Sequence, residues 1–340
     1  MKSLNASTKR GAAALGLALA AAGMAHAEGI VGTTLPAGFY VPDASLGVPV
    51  IGFGGAGPAT RVPVVFVHGN NGTPYPTGCG LFQTNIQAMA QHFADKGYAA
   101  SELWALGYQG TQCDLNDQPT NASGVAHTVA ANVVDLRKFL KAVVDSTGAT
   151  SVDIVAHGTA VVLVREMIRQ DNGADYVRRL VAIDGANQGV NICAAVANNS
   201  WALGMYGGYT ATSPVCQELG SPDTAFLLQL NKTDRTLKSA NVLVIRNGDS
   251  SFLYRPGWDG LVQGAPAAID SLGQPYDFSL SPVIAGAQDV VRFAENAWDT
   301  LTATAHVGIA NDPATWDEAF NFLTKEEAST PPVTKPPKGK

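Results

Sequence analysis

Residues 152–160 read Val-Asp-Ile-Val-Ala-His-Gly-Thr-Ala, and this stretch decides the fold. Its β-branched start predicts a short strand over residues 151–156, and residues 161–170 have the pattern of a helix. Gly158, between the two, suits a sharp turn because glycine accepts a positive φ without steric cost. A strand that turns directly into a helix is the building unit of a parallel sheet, so the stretch predicts an α/β protein.

The same alternation of strands and helices continues on both sides of this stretch. Residues 62–67 (VPVVFV) form a continuous apolar run, as expected for a strand buried on both faces of a parallel sheet. Further strands are predicted over residues 98–106, 179–183 and 242–245, and further helices over residues 82–96, 125–146 and 313–322, the last capped by Asp312. This order predicts a mostly parallel sheet with helices on both faces.

The two ends of the chain are expected to lie outside the folded domain. Residues 1–27 have a positively charged start, an apolar run over residues 12–24 and the ending Ala25-His26-Ala27, which is typical of a secretory signal peptide cleaved near Ala27. The apolar run is shorter than the roughly 20 residues that cross a bilayer. Residues 331–340 are rich in Pro and Lys and are expected to form a disordered tail.

The charge of the chain bears on its partners. The formal net charge is −6, and loss of Lys2, Lys9 and Arg10 with the signal peptide makes it −9. An acidic chain argues against nucleic acid as a partner, because the phosphate backbone requires clustered Lys and Arg. No later segment is long and apolar enough to span a membrane, so we expect no transmembrane segment. We expect a secreted monomer, either extracellular or periplasmic.

Four cysteines in an exported chain predict two disulfides. Three pairings are possible, and proximity in sequence favours Cys79–Cys113 and Cys193–Cys216, with four buried free thiols as the alternative. The second pair falls within residues 188–222, a loop-rich stretch that we expect to be a cap-like insertion in one domain over residues 28–330. The sequence contains no Cys-x-x-Cys or Cys/His cluster, so it predicts no metal site.

Two backbone segments are expected to meet at the carboxyl ends of neighbouring strands. Asn70 closely follows the strand at residues 62–67, and its N–H is predicted to stabilise a developing oxyanion. Gly158 occupies the strand-to-helix turn on which serine hydrolases carry their nucleophile, and the Thr159 N–H is the second predicted oxyanion donor. Glycine has no side chain, so residue 158 cannot attack a carbonyl carbon.

A nucleophile on such a turn works with an acid and a histidine that come later in the chain. Asp259 is the preferred acid because Asp259-Gly260-Leu261-Val262 has the pattern found around that acid in bacterial lipases. Asp249, just after the strand predicted at residues 242–245, is the alternative. His306 is the predicted base, in a short loop before the last helix. The competing interpretation of these residues is a solvated loop carboxylate and a surface histidine.

These segments together resemble the α/β-hydrolase superfamily, in particular secreted bacterial lipases and extracellular polyhydroxybutyrate depolymerases with an Ala-His-Ser-x-Gly box. The likeness spans about residues 63–323, and its segments are VFVHGN, VDIVAH, IDGANQG and LLQLN. The resemblance implies hydrolysis of carboxylic esters in lipids or aliphatic polyesters, without metal or cofactor. The departures from the family pattern are Gly158 for serine and Ala160 for glycine.

The glycine leaves three functional readings open. In the first, the chain is an ester-hydrolase scaffold with impaired catalysis, or a pseudohydrolase that only binds lipid or polyester. In the second, the Thr159 hydroxyl replaces the missing nucleophile and the chain is an active esterase. In the third, the natural protein carries serine at position 158 and is an active esterase.

Overall fold

The computed structural model describes residues 31–32, 34–41, 50–70, 72–75, 84–108, 128–197, 212–248, 268–292 and 304–325. The predicted signal peptide and tail lie outside these residues, as do Asp249, Asp259, Cys79 and Cys113. Within the described part, no helix combines the length and the apolar character needed to cross a bilayer.

One sheet organises the described residues, with its strands in the order β1-β3-β2-β4-β5-β6-β7. β1 pairs antiparallel with β3, and every other neighbouring pair is parallel. The strands are β1 (Ile51–Phe53), β2 (Val64–Val67), β3 (Leu103–Gly107), β4 (Val152–His157), β5 (Val177–Ile183), β6 (Asn241–Asn247) and β7 (Gln288–Arg292). The predicted, mostly parallel α/β architecture is confirmed.

Helices cover both faces of this sheet. They are α1 (Ile86–Asp95), α2 (Val129–Thr147), α3 (Thr159–Gln170), α4 (Ile192–Ala197), α5 (Pro214–Leu219), α6 (Ala225–Lys232), α7 (Thr236–Ser239), α8 (Thr304–Asn311) and α9 (Pro313–Thr324). Successive β2 residues face opposite cores, as the pleat requires. Val65 packs with α2 and α3 on one face, whereas Phe66 packs with α1 and α9 on the other. The central strands are therefore apolar on both faces.

The start of one predicted strand differs from the structure for an identifiable reason. The strand predicted over residues 98–106 begins only at Leu103, after a 3₁₀ turn at Ala100–Glu102. The buried Glu102 carboxylate accepts hydrogen bonds from the Ala99 and Thr60 N–H groups at 2.9 and 2.8 Å, and these bonds hold the tight turn. At the other end of the chain, Asp312 caps α9 as predicted, accepting from the Ala314 N–H at 2.9 Å.

The loop after β2 is fixed by His68, which is fully buried. Its Nδ1 donates to the Gly69 carbonyl oxygen at 2.8 Å, and its ring stacks on Tyr108 with centroids 4.4 Å apart. The Tyr108 hydroxyl donates to the His68 carbonyl oxygen at 2.9 Å. Burial lowers the pKa of His68 to about 4, although the hydrogen bond to Gly69 opposes this shift. The imidazole therefore stays neutral and holds the loop that carries Asn70.

The described part of residues 188–222 is cross-linked within itself and tied to the rest of the domain by a carboxylate. A disulfide joins Cys193 of α4 to Cys216 of α5, with their Cα atoms 5.6 Å apart. The Glu218 carboxylate of α5 accepts hydrogen bonds from the Val129 and Ala130 N–H groups at 2.5 and 3.1 Å. Because those donors open α2, Glu218 satisfies helix N–H groups that have no partner within the helix. This stretch is thereby tied to the first turn of α2.

Stability should fall on acidification partly because of His68. The unfolded histidine takes up a proton near pH 6.5, whereas the folded one does so near pH 4. Between these values the unfolded state binds more protons, so stability decreases as pH falls. His68→Asn keeps a donor for the Gly69 carbonyl but does not titrate. We expect the unfolding free energy lost between pH 7.5 and 4.5 to be about 2–3 kcal/mol larger in the wild type than in this variant, measured with urea. Equal losses in the two proteins would contradict this role.

Removal of the Cys193–Cys216 disulfide should destabilise the protein through the unfolded chain. The two residues are 23 positions apart, and both are buried. Replacement of both by serine should lower the unfolding free energy by about 3 kcal/mol, because the unfolded chain regains the entropy of the closed loop. Denaturant titration measures the change. A loss below about 1 kcal/mol would show that this bond does not constrain the unfolded state.

Candidate active site

The turn between β4 and α3 has a backbone conformation that favours glycine. Gly158 has φ 58° and ψ −125°, in a region that residues with a side chain rarely adopt. Its N–H donates to the Ile183 carbonyl oxygen of β5 at 3.0 Å, and its carbonyl oxygen accepts from the Val161 N–H at 3.1 Å. The turn is thus fixed on both sides at the carboxyl end of the sheet.

His306 faces this turn directly. A Cβ atom built on Gly158 would lie 2.9 Å from His306 Nε2 and 3.3 Å from its Cε1. The structure therefore brings together the predicted nucleophile position and the predicted base, which are 148 positions apart in sequence. At 2.9 Å the nitrogen is nearer than an ordinary van der Waals contact, so a side chain at position 158 requires a small retreat of the imidazole.

The setting of His306 differs from the predicted loop. His306 lies in the helix α8, which ends just before the capping residue of α9. Three side chains that follow it, Val307, Ile309 and Ala310, are buried, and α8 contacts β6. Burial of these apolar residues stabilises a helix where the short segment alone indicated a loop.

Asp184 holds the second nitrogen of His306. Its Oδ2 lies 2.6 Å from His306 Nδ1, and its side chain is only 2% exposed. Asp184 has an unusual φ of 44°, and its N–H donates to the Ile245 carbonyl oxygen at 2.8 Å. The Asn247 N–H lies 3.3 Å from Asp184 Oδ1. With Nδ1 donating to the carboxylate, a neutral imidazole presents Nε2 as a proton acceptor toward Gly158.

Asp184 was not among the predicted acids. Asp259 and Asp249, the two aspartates predicted for this role, lie outside the described residues. One signal in the sequence points toward Asp184, which directly follows the apolar end of β5, but only the sheet order shows that β5 lies beside the strand leading into Gly158. In a parallel sheet, side chains at adjacent carboxyl ends meet in one crevice.

The two predicted oxyanion donors lie at the same edge of the sheet. Val67 of β2 is in register with Ala156 of β4, so the chain segments that follow these strands run side by side. Gly69 Cα is 3.8 Å from the Cβ position of residue 158. Thr159 is the first residue of α3, whose first N–H groups have no partner within the helix. The segments that carry the predicted donors Asn70 and Thr159 therefore adjoin the turn, and the two N–H groups stay a prediction for the oxyanion site.

His157 fixes the main chain of His306. Its Nε2 donates to the His306 carbonyl oxygen at 2.8 Å, and the two rings lie 4.3 Å apart. Burial lowers the pKa of His157 well below its usual value, and the nearby His306 adds to this shift. His157 Nδ1 is buried and has no hydrogen-bond partner among the described residues. A neutral imidazole with a fixed tautomer thus supports the base from behind the turn.

The described ranges hold no group of three or more His, Cys, Asp or Glu side chains that could bind a metal ion. The described side chains at Gly158 are instead one imidazole held by one carboxylate, and the predicted donors Asn70 and Thr159 lie on the adjoining segments. Such a set can accept a proton through His306 Nε2 and can stabilise a negative oxygen. It carries no hydroxyl or thiol at position 158.

Comparison with known proteins places this chain in a family. The model of the lipase (class 2) family matches residues 61–260, which is more than half of the chain. The mature lipase BlEst2 from Bacillus licheniformis superposes with a TM-score of 0.50 at 12% identity, covering 83% of this chain and 100% of that chain. The carboxylesterase CesB (YbfK) from Bacillus subtilis gives a TM-score of 0.42 at 12% identity, covering 81% and 87%. The similarity to BlEst2 supports the fold alone, whereas the family match rests on the sequence. This chain belongs to the class 2 lipase family of the α/β-hydrolase superfamily.

Proposed function

We propose that this protein is a secreted member of the family that binds a carboxylic ester of a lipid or an aliphatic polyester but forms no acyl-enzyme. One observation carries the proposal. The His306 imidazole is held by Asp184 on one nitrogen and points its other nitrogen at Gly158, which has no nucleophile to offer. Asp184 takes the place of the acid, and Asn70 and Thr159 are the oxyanion donors. The proposed function requires no metal or cofactor.

The rate consequence of the glycine is large. Loss of the nucleophile from a serine hydrolase lowers kcat about 10⁶-fold, and the remaining acceleration comes from oxyanion stabilisation and substrate binding. The chain is therefore proposed as an ester-binding scaffold with impaired catalysis. Its binding machinery and its base remain together at the turn.

Thr159 is the second candidate for the nucleophile, and its position disfavours that role. Thr159 is the first residue of α3, one position after Gly158. Successive side chains on a helix are rotated by about 100°. The Cβ direction of residue 158 leads to His306, so the side chain of the next residue leaves the turn in another direction.

An exposed apolar surface near the turn supports a lipid or polyester partner. Ile269, Leu272 and Leu280 are 60%, 82% and 60% exposed. Their segment lies against the residues that follow Asp184, since the Asn187 N–H donates to the Ser281 carbonyl oxygen at 2.9 Å. The three side chains thus belong to a segment that packs against the loop after Asp184. Exposed apolar patches of this kind favour contact with an apolar surface.

The apolar surface gives a binding prediction. Ile269→Ser combined with Leu272→Ser should weaken adsorption to polyhydroxybutyrate granules or phosphatidylcholine vesicles about tenfold or more, because apolar area is lost from the contact. Tyr40→Ser is the control. Tyr40 is 72% exposed and follows Phe39, whose ring packs against Trp104 near the amino end of β3. Equal adsorption of both variants in a co-sedimentation assay would exclude this surface from the contact.

Restoration of the hydroxyl should convert the scaffold into an esterase. Gly158→Ser places a hydroxyl between His306 and the oxyanion donors, so we expect hydrolysis of p-nitrophenyl butyrate and a stable covalent adduct with diethyl p-nitrophenyl phosphate. The positive φ costs about 1–3 kcal/mol of stability. In this background, Asp184→Asn should lower kcat by up to about 10⁴-fold, because the imidazole loses its orienting acceptor.

Gly158→Ala is the matched control for this restoration, because it carries the same backbone penalty and no hydroxyl. It should remain unlabelled and as slow as the wild type or slower. A folded Gly158→Ser protein that neither hydrolyses the ester nor gains the mass of the adduct would refute the proposed function. Circular dichroism and thermal unfolding of both variants establish that they are folded.

A further inference from the structure

The base of this site has no partner hydroxyl in the chain at position 158, and the space beside it is open among the described residues. Apart from the His306 ring atoms, the nearest described atom to the Cβ position of Gly158 is Gly69 Cα, at 3.8 Å. The side chain that serine would contribute here, a CH₂OH group, has the size of one molecule of methanol. A small free hydroxyl compound can therefore approach His306 Nε2 from the side on which a seryl oxygen would lie.

We propose that the wild-type protein transfers acyl groups directly to water or to a small primary alcohol that His306 activates, without an acyl-enzyme. The inference rests on the proposed ester-binding function and extends it to a second substrate, the acyl acceptor. It follows from a base that is positioned and oriented toward Gly158, a residue that supplies no nucleophile.

The reaction needs no group beyond those at the turn. His306 Nε2 takes the proton of the bound water or alcohol as its oxygen bonds to the ester carbonyl carbon. The carbonyl electron pair moves to the oxygen, which accepts hydrogen bonds from the Asn70 and Thr159 N–H groups. When the tetrahedral intermediate collapses, the bond to the leaving oxygen breaks and that oxygen takes the proton back from Nε2. Water gives a carboxylic acid and the alcohol gives a new ester, with no change in oxidation state.

Two features of the site limit the acceptor and support the base. Gly69 Cα lies 3.8 Å from the Cβ position, so an acceptor branched at its hydroxyl-bearing carbon meets the backbone of the loop after β2. The Asp184 carboxylate, 2.6 Å from Nδ1, stabilises the imidazolium that forms when Nε2 takes the proton. The site should therefore accept water, methanol and ethanol, and should exclude 2-propanol.

The test uses the wild-type protein with p-nitrophenyl butyrate and increasing methanol. We expect saturable stimulation of p-nitrophenolate release, with methyl butyrate as the added product, and no stimulation by 2-propanol. His306→Gln should lower the rate at least about 100-fold, because general-base catalysis contributes about 10²–10⁴-fold. Equal rates in the wild type and in His306→Gln would overturn the proposal, because the rate would then come from oxyanion stabilisation alone.

Two further measurements guard against a variant that misfolds. Gly158→Ala leaves His306 and Asp184 in place and fills the acceptor space, so it should lower methanolysis at least about tenfold; an unchanged rate would contradict the proposal. The comparison of methanol with 2-propanol uses only the wild type, and equal stimulation by the two would also contradict it. If Gly158→Ser is an active esterase while the wild type reacts no faster than His306→Gln, direct acyl transfer is refuted and the proposed function stands. The proposed function fails if Gly158→Ser is folded and inert.

Discussion

The arrangement of this site depends on the contact between His306 and Asp184. The carboxylate holds Nδ1 at 2.6 Å, and this sets both the tautomer and the direction in which Nε2 points. His157 fixes the same residue through its carbonyl oxygen, so the imidazole is held from the side chain and from the main chain. The carboxyl ends of β4 and β5 place Gly158 and Asp184 side by side. Orientation of the base is therefore a property of the sheet and does not require a nucleophile.

Gly158 removes the reactive group and leaves the geometry of the turn in place. A nucleophile on such a turn must tolerate a positive φ, which strains any residue with a Cβ atom, whereas glycine adopts it at little cost. The backbone bonds that fix the turn, to Ile183 and from Val161, involve no side chain of residue 158. A glycine at this turn of a lipase fold thus avoids backbone strain while the base stays held by Asp184.

Local pattern in the sequence predicted the central elements, and tertiary contacts decided the rest. The apolar run before Gly158 and the His-Gly segment after β2 are contiguous signals, so the sequence alone predicted the turn and pointed to the loop that carries Asn70. Asp184 needed the knowledge that β5 lies beside β4, which only the sheet order provides. α8 became a helix because its apolar residues are buried against the sheet, and the three-residue β1 is too short to show periodicity.

The central claim is that this protein keeps an oriented base although residue 158 is glycine. Proton NMR of the wild type tests this claim most directly. The account predicts a strongly downfield resonance from the His306 Nδ1–H in its hydrogen bond to the Asp184 carboxylate, and its loss in the folded Asp184→Asn variant. Absence of such a resonance in the wild type, or its persistence in that variant, would show that His306 is not held by Asp184 and would contradict the account.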